Sequence, residues 1–178
     1  MTLSEATRSV GALITCAQAR SAAEIADHHT IRHQVFVVEQ AIFAGSDTDA
    51  YDDDPATIRL LGRYDGVSAG SVRLYELGPG SGLWQGDRLA VLPPYRILGL
   101  GAPLVRCAVA LAAAHGGSKM IAHIQVPNVA FFTRLGWRPD GDVENYAGRA
   151  HQPMSIALPP APAGALIAEE LRAGLRQR

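Results

Sequence analysis

Two prolines and two glycines, set close together, fix what the middle of this chain can become. The run Arg88-Leu89-Ala90-Val91-Leu92-Pro93-Pro94-Tyr95-Arg96-Ile97-Leu98-Gly99-Leu100-Gly101-Ala102-Pro103-Leu104 reads as a strand, a turn and the start of a helix. Leu89 to Leu92 is a short apolar run, and the prolines behind it cannot continue a ladder. Glycines at 99 and 101 then open a turn, and an alanine-rich helical segment begins near Ala102. The first turn of a helix carries N–H groups without intrahelical acceptors. Fed by a glycine turn, these groups point one way and bind phosphate oxygens, and the helix dipole favours the negative charge. Glycine suits the position because a side chain would hold phosphates off the backbone. No Gly-Lys-[Ser/Thr] follows, so the stretch is not a P-loop. It also lacks the G-x-G-x-x-G spacing of a dinucleotide fold.

The rest of the composition narrows the class. With 178 residues the chain can build one domain with a sizeable core. Although 48% of residues are hydrophobic, no run reaches the ~18 to 20 apolar residues of a membrane-spanning helix. The net charge is −1 with the signs interspersed, so no basic stripe argues for nucleic acid. No basic segment followed by an apolar one opens the chain, and a cytoplasmic location is expected. Cys16 and Cys107 sit in apolar segments and suggest buried thiols rather than a disulfide framework. No metal is expected. Asp47, Asp49, Asp52, Asp53 and Asp54 cluster, but without the order and terminal Glu of a calcium loop. That cluster reads either as a solvated loop or as an attractor for a cationic amine.

In order, residues 1 to 10 are expected to fray. Leu13 to Ala17 reads as a strand. Ser21 and Glu24 form a capping box for a helix running toward Phe43. Thr57 to Tyr64 and Val67 to Leu77 are strands joined at Asp65-Gly66, a strong hairpin signal. The strand ending at Leu92 follows, then the helix to about His115. Lys119 to Val126 is a buried-type strand, and Asn128 caps a short helix from Val129 to Leu135. Trp137 to Val143 and Pro153 to Leu158 close the sheet. The prolines at 159 to 162 then break the chain, leaving residues 159–178 as a segment outside a domain of 1–158. Its amphipathic helix, Ala163 to Arg176, either packs back or links to a partner, for instance a second copy in a homodimer. The order predicts an α/β (α+β) fold, a mixed sheet with helices on both faces.

Leu-Ala-Val-x-Pro before Arg96-x-x-Gly99-x-Gly101 resembles the coenzyme A motif of the GNAT N-acetyltransferase superfamily. Other segments resemble its ElaA-like branch: Arg32-His33-Gln34-Val35-Phe36-Val37-Val38-Glu39-Gln40, Tyr51-Asp52-x-Asp54, Arg73-Leu74, Gly86-Asp87-Arg88-Leu89-Ala90-Val91, Gln125, Phe131-Phe132-x-x-x-Gly136-Trp137 and His151-x-x-Met154. The chain is also similar to the N-terminal domain of nitrogen-starvation-associated acetyltransferase-like proteins, some of which continue into a second domain. The resemblance implies a GNAT-like, mostly antiparallel twisted sheet. It implies acetyl-CoA as co-substrate and the amine of a small molecule as acceptor. Leu89, Ala90 and Val91 would pair with pantetheine, and Arg96, Leu98, Gly99, Leu100, Gly101 and Ala102 would hold the diphosphate. Asn128, Phe131 and Phe132 would adjoin the acyl carrier. Phe132 stands where the resemblance implies a tyrosine acid for the departing thiolate, and phenylalanine has no proton to donate. That substitution keeps a second reading open, a non-catalytic acyl-CoA-binding or regulatory module.

Acyl transfer to an amine needs an oxyanion donor and a proton acceptor. Backbone N–H groups near Val91 and Leu92 are candidates for the first. For the second, His123 shares a strand face with Ile121 and Gln125; it reads as a base near the thioester or as a hydrogen-bonded core histidine. Glu39 reads as a carboxylate beside the acceptor or as a structural one paired with Arg73 or Arg88. His151 faces the acceptor or bonds a neighbouring loop. Neither cysteine has the setting of a nucleophile, so direct attack in a ternary complex is the expected mechanism.

Overall fold

The computed structural model describes residues 11–177. The expected fraying of residues 1 to 10 lies outside them. Strand β1 (Leu13–Gln18) leads to helix α1 (Ala22–Arg32), which starts where Ser21 and Glu24 bond each other's backbone N–H groups in the expected capping box. The helix does not run regularly to Phe43: it widens to a π-helical stretch over His33–Glu39, and Ala41 at φ 50° ends it. The aspartate-rich loop contains a short helix, α2 (Ala50–Asp53), capped by Asp49. Strands β2 (Ile58–Tyr64) and β3 (Val67–Glu76) form the Asp65-Gly66 hairpin. Both turn residues have positive φ (46° and 82°), as a two-residue turn requires.

Next come β4 (Leu83–Val91), the short helix α3 (Pro93–Arg96), α4 (Gly101–Ala114) and β5 (Lys119–Gln125). A 3-10 turn leads into α5 (Val129–Arg134). The closing region departs from expectation. Instead of two strands it holds β6 (Arg138–Pro139), β7 (Glu144–Tyr146) and β8 (Arg149–Ala157). The β7–β8 turn at Ala147-Gly148 has two positive φ angles, and β8 starts four residues before Pro153. Pro153 lacks only a donor; its carbonyl still accepts from the Asp140 N–H at 2.8 Å.

The strands form one twisted sheet in the order β6-β8-β5-β4-β3-β2-β1-β9, with β7 on β8 and with β9 (Leu175–Arg176) the last strand of the chain. Every described pairing is antiparallel except β4–β5. Helices cover both faces, as expected. Leu104, Cys107 and Ala108 of α4 pack with Leu60, Leu74 and Met120 on one face. Ile31, Val35 and Phe36 cover Leu61 and Ala90 on the other. No helix among the described residues is long and apolar enough to cross a membrane.

Past the prolines, helix α6 (Ala161–Ala173) packs back onto α4 and β9 (Leu175–Arg176) pairs with β1. Close approach is possible because Gly164 has no side chain. A Cβ there would lie 2.6 Å from the Ala110 carbonyl oxygen and 2.7 Å from Ala113 Cβ. Leu171 is buried at the same seam. Gly164→Val should therefore cost about 1–3 kcal/mol, the usual range for overpacking, read as a lower urea midpoint with α6 displaced.

Candidate active site

The site begins with an irregularity in β4. Ser71 pairs with Ala90 and Arg73 pairs with Asp87, so Arg88 and Leu89 together oppose Val72. This two-against-one bulge puts Arg88 at φ 52°, unfavourable for a residue with a Cβ. Side-chain contacts hold it there. The Arg88 guanidinium lies 4.7 Å over the Phe43 ring and pairs with Asp47 (3.1 Å) and Asp49 (3.3 Å). The Val72 carbonyl, opposite the bulge, accepts from His28 Nε2 at 3.2 Å. Burial, with Arg32 nearby, pushes His28 down to about 3, so the imidazole stays neutral.

Around the bulge lies a layer of buried charge. Arg32 and Arg73 are wholly buried. Arg32 binds Asp47 at 2.7 Å and Asp52 at 2.6 Å; Arg73 binds Asp49 at 2.6 Å and Asp87 at 2.7 Å. Burial alone would raise the Asp52 carboxyl, but hydrogen bonds from Arg32 and the Asp49 N–H, with the charges of Arg32 and Arg73, hold it well below the usual range. The cluster at Asp47, Asp49 and Asp52 is thus neither a solvated loop nor an unpaired acidic patch. Its partners lie on α1, β3 and β4, where the sequence reading had not placed them.

Parallel pairing of β4 with β5 ends at Gln85–Ile121, before the bulge. Beyond it a cavity of about 360 Å³ opens between the two strands. At the far end of β4 is the glycine turn. The N–H groups of Gly99 and Leu100 have no partner among the described residues, and those of Gly101 and Ala102 belong to the first turn of α4, without intrahelical acceptors. Buried Leu100 anchors the turn, Gly99 bends it at φ 75°, and Gly101 lies under the Phe131 ring. Ile97 is 91% exposed at its outer side. Arg96 does not face these amides in this structure. It forms a bidentate pair with Glu39, both contacts 2.6 Å, and donates through Nε to the Val91 carbonyl at 2.9 Å. Glu39 therefore pairs with Arg96, not with Arg73 or Arg88, and lies outside the cavity lining.

The cavity brings together Leu89, His123, Asn128, Phe132 and His151 from the expected set. His123 Nδ1 bonds Glu144 of β7, so the half-exposed imidazole is no core histidine. A carboxylate on one ring nitrogen leaves the other as the acceptor of a neutral imidazole. Glu144 was missed because its segment was read as a strand end and a loop. His151 is buried, with Nδ1 on the Arg149 carbonyl at 2.9 Å and its ring edge-on to Tyr146. Asn128 makes no side-chain cap to α5, contrary to the expected N-cap, which leaves its amide for the cavity. Phe132 packs edge-to-face between Phe131 (5.4 Å) and Trp137 (5.5 Å). The Leu92 N–H, an expected oxyanion donor, is already bonded to the Ala69 carbonyl at 2.9 Å. The break in register sits earlier, at Arg88–Leu89.

The family model for the acetyltransferase (GNAT) family matches residues 23–137. The chain belongs to that family. Its members are acyl-CoA-dependent N-acyltransferases, which favours an enzyme over a binding module. An uncharacterized N-acetyltransferase of Bacillus subtilis, YjcF, is 28% identical over 123 residues, 67% of this chain and 82% of that protein. The crystal structure of an acyl-CoA N-acyltransferase from Pseudomonas aeruginosa superposes with a TM-score of 0.70, at 24% identity, covering 80% of this chain and 98% of the other. Escherichia coli ElaA superposes with a TM-score of 0.71, at 20% identity, over the same shares. These structural likenesses concern the GNAT fold. Among the described residues no three His, Cys, Asp or Glu side chains converge as a metal site.

The buried His28 generates a pH test. Its folded-state pKa lies below the unfolded value, so its contribution is present above about pH 6.5 and is lost as pH falls toward about 3. Over that window wild-type stability should fall with a component of up to about 1.4 kcal/mol per pH unit. His28→Gln should remove that component in urea titrations at stepped pH.

Proposed function

We propose that this GNAT protein transfers the acetyl group of acetyl-CoA to the amine of a small molecule, by direct attack in a ternary complex. One observation carries the reading: turn amides without a partner among the described residues stand beyond the end of a strand whose bulge adjoins a cavity holding the His123–Glu144 pair. The amides from Gly99 to Ala102 hold the diphosphate. Leu89, Ala90 and Val91 align pantetheine along the splayed strand, with Asn128, Phe131 and Phe132 on its other side. Arg96 reaches the diphosphate by exchanging Glu39 for phosphate oxygens. The backbone at the Arg88–Leu89 bulge faces the developing oxyanion.

His123 takes the ammonium proton, directly or through water, and Glu144 keeps its ring in the accepting tautomer. Acidic Glu144 at the cavity suits a cationic acceptor, Asp49 and Asp87 being taken up by Arg73, and His151 with Tyr146 forms one wall. The thiolate leaves unprotonated or with a proton from water, which its ordinary pKa permits. Neither cysteine serves as nucleophile in this scheme. Both are buried; burial raises the Cys107 thiol to about 12 and the Cys16 thiol further. Such free thiols suit a reducing cytoplasm. A homodimer joined through the outer face of α6, where Leu166 is exposed, is the assembly this reading favours.

Release of CoA thiol over a panel of amines tests the activity. With an accepted amine, His123→Gln should lower kcat by about a hundredfold or more. An unchanged kcat would take the base role from His123. An isolable acyl-enzyme or ping-pong initial rates would rule out direct attack.

A further inference from the structure

The last described residue, Gln177, sits under the diphosphate turn. Its Nε2 donates to the Leu98 carbonyl, and a Cβ on Gly99 would lie 3.6 Å from the same nitrogen. Its Oε1 accepts from the Tyr64 hydroxyl at 3.2 Å, and its own N–H donates to the Ala12 carbonyl at 2.9 Å. Tyr64 in turn meets Tyr95, on the helix just before the turn, with ring centres 5.9 Å apart. The amide side chain is thereby fixed on both of its ends.

In a trans peptide the carbonyl and the following N–H point in opposite directions. Holding the Leu98 carbonyl toward Gln177 therefore turns the Gly99 N–H away from the C-terminal arm. The arm that delivers Gln177 is firmly seated. Gly174 turns at φ 109°, where a Cβ would lie 2.6 Å from Leu13 Cδ1, and Arg176 and Leu175 pair with Leu13 and Ile14. Glycine is flexible when unsupported, so a turn bent at Gly99 gains order from an anchor on its neighbouring carbonyl.

We propose that Gln177 is a positioning residue for acyl-CoA, orienting the diphosphate-binding amides from behind, so that the segment past Pro160 is part of the cofactor site. The proposal rests on the acyl-CoA reading of the turn given above. Calorimetry of wild type, Gln177→Met and Tyr64→Phe with CoA and with pantetheine tests it. Methionine keeps the length and loses the donor. Gln177→Met should weaken CoA by about fivefold, the worth of one neutral hydrogen bond. Pantetheine, which lacks the diphosphate, should bind both proteins equally, and the melting temperature should hold. Tyr64→Phe should weaken CoA in the same direction and less. CoA affinity equal in wild type and both variants, or pantetheine weakened as much as CoA, overturns the role of Gln177. Wild type that binds pantetheine but gains nothing from the diphosphate overturns the reading of the turn itself.

Discussion

The arrangement depends on two buried guanidinium groups, Arg32 and Arg73, and on the aspartates that neutralise them. Neither arginine can reach water. Removing one partner from such a pair leaves an uncompensated charge, typically at a cost of about 3–5 kcal/mol. The ionic layer therefore fixes position. Arg32 fastens the end of α1 to the loop at Asp47 and to α2 at Asp52, and Arg73 fastens β3 to Asp49 and to Asp87 of β4. Arg88 joins the same aspartates from the bulge. A positive φ at an arginine is disfavoured alone and holds here because three side chains of one loop, Phe43, Asp47 and Asp49, over-determine it.

From that bulge the rest of the site follows. A strand that carries an extra residue bends and leaves its neighbour, so the parallel ladder to β5 stops and a cavity takes its place. The same strand delivers its last residues to the glycine turn, whose amides have no partner among the described residues because a new helix starts there. One irregularity in the backbone thus separates two strands at one point. Two contacts come from far away in the chain: Glu144 lines the cavity from a hairpin beyond β5, and Gln177, just past the final strand, bonds the Leu98 carbonyl.

Signals carried by neighbouring residues were legible. Ser21 with Glu24, Asp65 with Gly66, and Gly99 with Gly101 each specify backbone geometry within a few residues, and each stands as read. Pairings across long separations were not. Glu39 and Arg96 are 57 residues apart, His123 and Glu144 are 21 apart, and Arg73 and Asp49 are 24 apart. A charge in a sequence has many equally suitable partners, and only the packed chain selects one. The short strands β6 and β7 were merged or missed because each is held by its neighbour β8 more than by its own pattern.

By itself the sequence determined the local conformations: where strands stop at proline, where glycine lets the chain turn, where a helix begins, and hence a sheet covered on both faces. The register irregularity at Arg88, the identity of each ion pair and the contact of Gln177 with the glycine turn were decided by tertiary structure. The physical reason is range. Backbone preferences act over a few residues and are written in consecutive letters, whereas burial and Coulomb attraction act between whichever groups folding brings within a few ångströms.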